Sequence, residues 1–70
     1  MIDRLAKLIS EYCAKNNIDY RAYATLVGVS NMEIGAIMSK MMKETDLKLE
    51  TVNKILGFHG LSLGIVVKEL

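Results

Sequence analysis

Apolar residues recur every three to four positions through the first 58 residues of this chain, and then the period drops to two. The first pattern is that of helices with one wet face. The second, Leu61, Leu63, Ile65 and Val67 alternating with Ser62, Gly64, Val66 and Lys68, is that of a β-strand over about 61–67. A lone strand cannot satisfy its backbone hydrogen-bonding groups, and nothing else in the sequence reads as a strand of comparable strength. The simplest partner is the same strand of a second copy. The expected fold class is all-α: one small four-helix domain spanning 1–70, with a C-terminal β-strand that pairs in a homodimer.

Size points the same way. A domain of 70 residues buries only about 60% of its unfolded surface and is marginal alone. Cys13 is the single Cys and His59 the single His, so neither an internal disulfide nor a structural zinc can staple the fold. No metal and no cofactor are expected. No Ser/His/Asp, Cys/His or paired-carboxylate arrangement survives inspection, so no enzyme activity is expected either. Asp3, Arg4, Lys7 and Glu11 interrupt any leader-like apolar run, and no apolar stretch approaches the ~18 residues of a membrane span. The expected setting is reducing and cytoplasmic, away from membranes. Nine Lys and Arg against eight Asp and Glu exclude attachment to nucleic acid by bulk positive charge and leave only local basic patches.

The first helix is read over about 2–15 from Ile2, Leu5, Leu8/Ile9 and Tyr12/Cys13, with Asp3–Lys7 and Glu11–Lys15 as acid-before-base pairs. Asn16-Asn17 stops it, because Asn tolerates the left-handed C-terminal position. Asp19 caps a second helix, about 20–27, with Ile18 and Tyr23 as a hydrophobic staple and Gly28 as its end. Ser30 and Glu33 form a capping box for a third helix, about 31–39, with Val29 and Ile34 as a second staple. Ile34, Ile37, Met38 and Met41 are its expected apolar face. A solvated connection, Lys43-Glu44-Thr45-Asp46, leads to a fourth helix, about 48–58, whose apolar face is Leu49, Val52, Ile55/Leu56 and Phe58 or His59.

Two short helices with a three-residue junction containing Gly28 are a helix-turn-helix signal. Ala24 is small where the third helix crosses the second, and Val29, Ile34 and Ile37 lock that helix inward. The segment YRAYATLVGVSNMEIGAIMS, 20–39, resembles the DNA-binding helix-turn-helix of the Cro-type, or XRE, family. The likeness extends through the first helix, the LETVNKIL segment and the tail GLSLGIVVKEL, and so over nearly the whole chain. The tail is most similar to members that end in a strand pairing across a two-fold axis, among them antitoxins of bacterial toxin–antitoxin modules.

That resemblance implies a cytoplasmic, bacterial or phage-encoded, repressor-like transcription regulator. It would bind double-stranded DNA as a dimer, inserting helix 3 of each subunit into successive major grooves of a palindromic operator. Carried over position by position, base-facing residues are Ser30, Asn31, Met32, Gly35 and Ala36, with Asn31 matching an adenine edge and Met32 or Ala36 a thymine methyl. Tyr20 stands at the phosphate-anchoring start of helix 2. Arg21, Ser39, Lys40 and Lys43, with Lys48 beyond them, supply further backbone contacts. The dimer interface is expected at Phe58, Leu61, Leu63, Ile65 and Val67.

The low charge and the Met32, Gly35 and Ala36 surface also fit a second class: a protein-interaction module on the same scaffold. Such a module would be an antirepressor or a toxin-neutralising antitoxin with weak or no DNA binding, its partner a toxin or repressor protein. Met38 and Met41 are expected as core filler, while Met32 and Met42 fit either core or a partner surface. Cys13 is expected as a buried, inert thiol. Tyr12 and Tyr23 are expected as core residues with wet hydroxyls, and His59 as a structural or C-cap residue where a cation suits the helix dipole.

Overall fold

The computed structural model describes residues 1–61. Four helices follow one another: α1 (Ile2–Asn16), α2 (Tyr20–Val27), α3 (Asn31–Ser39) and α4 (Leu49–Phe58), with one 3-10 turn, Glu44–Asp46, between the last two. The described part is all-helical, as expected. The strand expected at 61–67, with its interface residues Leu63, Ile65 and Val67, lies outside the described residues apart from Leu61.

The helix ends follow from local chemistry. Asp19 accepts the Ala22 N–H at 2.8 Å, and Ser30 accepts the Glu33 N–H at 3.1 Å. The Ser30 hydroxyl in turn donates to the Glu33 carboxylate at 3.2 Å. Three helices stop on the same device, a left-handed residue followed by an N–H that reaches back five positions. Ile18 reaches Cys13 past Asn17, Val29 reaches Ala24 past Gly28, and Leu61 reaches Leu56 past Gly60. Gly28 has φ +87° with open space where a Cβ would stand, so backbone conformation, not crowding, requires glycine there.

The core draws on every helix: Ile2, Leu5, Ala6, Ile9 and Cys13 from α1, Tyr23 and Ala24 from α2, Ile34 and Ile37 from α3, and Val52, Ile55 and Leu56 from α4. Each large side chain among them, once fully buried, contributes about 1.5–3 kcal/mol. Cys13 is buried, and burial pushes its thiol up, with the Asp19 carboxylate adding to the effect. The thiolate is therefore disfavoured.

Several expectations change. Met41 is 86% exposed and is not core. Lys40 turns left-handed at φ 57°, the helix stops, and Met42, not Met41, swings in to pack on the core. Leu49 is 61% exposed, while Leu47, from the connection, packs half-buried on the core; the inner face of α4 is Thr51, Val52, Ile55 and Leu56. Glu44 is not merely solvated: its carboxylate accepts the Ile2 N–H at 2.8 Å and pairs with the Met1 ammonium at 3.0 Å. Those two contacts cap α1 and hold the Glu44 carboxyl below the usual range. Asp3 pairs with Lys40 at 3.0 Å instead of with Lys7.

Candidate nucleic-acid interface

With Ile34 and Ile37 turned inward, the opposite side of α3 carries Asn31, Met32, Gly35 and Ser39, all exposed, with Ala36 half-buried beside them. Positions 31, 35 and 39 repeat every four residues and make one stripe along the helix. Met32 stands 83% exposed at its start. Gly35 sits in the middle with nothing within 4 Å of a Cβ. Ser39 closes the stripe, its hydroxyl donating to the Ala36 carbonyl at 3.2 Å.

The start of α3 is held from below by α4. The Thr51 hydroxyl donates to the Glu33 carboxylate, and the Lys54 ammonium donates to the Gly28 carbonyl at 3.2 Å. Residues 51 and 54 lie one turn apart, so a single turn of α4 clamps both the junction and the cap of α3. The Thr51 hydroxyl, then the Ser30 hydroxyl and the positive charge of Lys48, keep the Glu33 carboxyl below its ordinary range against the opposing pull of burial. Glu33, the one charged side chain within α3, is thus ionised and occupied.

Among the described residues, the cations from α2 onward divide into two sets. Lys40 belongs with Asp3 of α1, and Lys54 is 3.3 Å from Glu50. Among the described residues, Arg21, Lys43 and Lys48 carry no ion pair, and all three are exposed. Lys48 precedes α4 beside the start of α3, close enough to act on Glu33. Tyr20 and Arg21 occupy the first turn of α2, a helix whose eight residues span about 12 Å. Lys43 precedes the 3-10 turn. The residues gathered around the outer face of α3 are therefore Ser30, Asn31, Met32, Gly35 and Ala36, with Lys48 alongside. Ser39 and Lys40 lie at its far end, where Lys40 turns toward α1.

Thr51, which holds the cap of α3, and Glu44, which caps α1, lie outside the candidate residues the sequence singles out. A Thr on the inner face of an otherwise aliphatic helix is the available signal for Thr51, since a buried hydroxyl needs a partner. Glu44 has no such signal.

At the other end of α4, Phe58 and His59 meet Tyr12 and Tyr23. Ring centroids lie 5.1 Å apart for Tyr12–Phe58 and 5.7 Å for Tyr23–Phe58, both edge-to-face. The hydroxyl of Tyr23 and Nε2 of His59 share a 2.9 Å hydrogen bond. Tyr23 is fully buried, so its hydroxyl is not wet, and burial pushes its pKa up. Burial also pushes the His59 imidazole below its ordinary value, which favours the neutral ring over a cation at the helix end. Phe58 keeps one flank in water, and Leu61 packs half-buried on the core.

Among the described residues no three His, Cys, Asp or Glu side chains converge to hold a metal ion, and no helix is long and apolar enough to cross a membrane. No protein-family model, curated protein or solved structure matches the chain.

Proposed function

We propose that the protein is a Cro-like, repressor-type DNA-binding regulator that acts as a homodimer. One observation carries the reading. The outer face of α3 bears Asn31, Met32 and Gly35 in water, its only carboxylate is occupied, and cations without an ion pair stand beside it, at Lys48, and in the first turn of α2, at Arg21. A helix with a neutral, uncluttered outer face and flanking cations suits entry into a major groove about 12 Å wide, with phosphates on either side for Arg21 and Lys48. Two copies joined through the Phe58 end and the segment that follows would present two such helices. Their half-sites would lie about 34 Å apart on a palindromic operator. Repression would follow from occupying DNA that polymerase needs.

Fluorescence anisotropy with a randomised duplex pool at low salt tests this. Binding that weakens on Lys48→Ala and on Arg21→Ala, with unchanged melting temperatures, supports the reading. No binding even at low salt overturns it.

A second reading rests on a separate observation. Met32, Met41 and Leu49 are each more than 60% exposed, a large apolar presence for so small a surface. That favours a protein partner of the toxin or repressor kind, bound by an antitoxin or antirepressor. Met41→Glu would then abolish partner binding while leaving DNA affinity untouched.

A further inference from the structure

We infer that α3 reads A·T base pairs in preference to G·C, because it lacks the cation that reads guanine bidentately, so that the thymine methyl group is its principal specificity signal. This rests on the DNA-binding reading above and goes beyond it to the chemistry of the site recognised.

Guanine presents two acceptors in the major groove, N7 and O6, and is read by Arg or Lys. No residue of α3 from Asn31 to Ser39 is a cation. Lys40, just past its end, is drawn to Asp3. Cytosine presents an amine that a carboxylate accepts, but both oxygens of Glu33 are engaged, one by Ser30 and one by Thr51. What remains free is an amide and a thioether side chain. The Asn31 amide has the donor and acceptor that match N6 and N7 of adenine. Met32, 83% exposed beside it, is a flexible apolar arm of the kind that seats a methyl group. Gly35, with open space at its Cβ position, lets the helix backbone come close to the base edges without a side chain intervening. An amide, a thioether and a bare backbone together suit a T·A step better than any G·C-containing step.

The test begins with selection of bound duplexes from a randomised pool by the full chain. Within the selected site each dT is then replaced by dU, which removes only the methyl group. Loss of about fourfold in affinity per contacted methyl is expected, the worth of one buried methyl group. The same dU substitution should leave the affinity of Met32→Ala unchanged. Replacing the contacted adenine by its 7-deaza analogue should cost wild type roughly tenfold, and Asn31→Ala nothing further. Both side chains are exposed, so both variants should melt as wild type does. A selected site anchored on guanine, or indifference to dU at every position, overturns the inference while leaving DNA binding intact. Failure to retain any duplex at low salt overturns this inference and the DNA-binding reading together.

Discussion

Replacing Gly35 by Ala separates stability from function in one substitution. Gly35 is the fifth of nine residues in α3, it has ordinary helical backbone, and a Cβ built there meets nothing within 4 Å. The methyl group therefore costs no packing strain. It removes the entropic penalty of glycine in a helix interior, worth about 0.8–1.0 kcal/mol relative to Ala. For a domain of this size a gain of about 1 kcal/mol raises the melting temperature by roughly 4–8 °C. Calorimetry at fixed protein concentration checks this, since the melting temperature of the proposed dimer would depend on concentration. The same methyl group lies in the middle of the face proposed to meet DNA, so affinity for the selected duplex should fall while stability rises. Gly57→Ala is the control. Gly57 is also helical, exposed and open at its Cβ position, but on α4. It should raise the melting temperature, by less because it stands near the helix end, and leave DNA affinity alone. A melting temperature for Gly35→Ala at or below wild type would refute the local account of α3. A gain in both stability and affinity would refute the close approach.

The remaining expectations concern the fold and its pH dependence. Gly28→Val should destabilise by at least ~1–2 kcal/mol, because a β-branched residue is forced to φ +87°, and Gly28→Asn should recover part of that loss in the same thermal melts. Thr51→Val should cost about 1–3 kcal/mol in chemical denaturation by leaving one Glu33 oxygen without its partner, even though Val nearly matches the shape of Thr. His59 takes up a proton less readily when folded than at its unfolded value of 6.5, so the unfolded chain binds more protons below that pH. Stability from the neutral ring should thus be complete above pH 6.5 and decline as pH falls below it; His59→Gln should flatten that part of the profile, and an unchanged profile would sink the assignment.

What the sequence made legible is what local chemistry decides. Asn17, Asp19, Gly28 and the Ser30–Glu33 box act within one turn of themselves, and the helix bounds of α2 and α3 follow from them. The inward residues Ile34 and Ile37, and by subtraction the outward Asn31, Met32 and Gly35, follow from the helical period. Contacts that close over long stretches of chain were not legible. Thr51 reaches Glu33 across 18 positions, Tyr23 reaches His59 across 36, and Glu44 reaches Ile2 across 42. No spacing rule announces such pairs, because they depend on how the helices cross. Met41 and Leu49 show where periodicity misleads. The period holds only while the helix does, and Lys40 ends α3 in a left-handed conformation that no glycine signals. Lys40, which its position groups with the phosphate contacts, also lies 3.0 Å from Asp3, a residue 37 positions away whose approach only the fold creates.

The central claim is that a dimer holds DNA through few cations and reads it through the neutral face of α3. The most direct measurement is the affinity for the selected duplex over a salt series. Three cations per subunit, Arg21, Lys43 and Lys48, make six in the proposed dimer, for which log K against log salt should fall with a slope of about −5. Lys48→Ala should reduce that slope by about two, one contact from each subunit. A slope near zero, or one that Lys48→Ala leaves unchanged, would contradict the account.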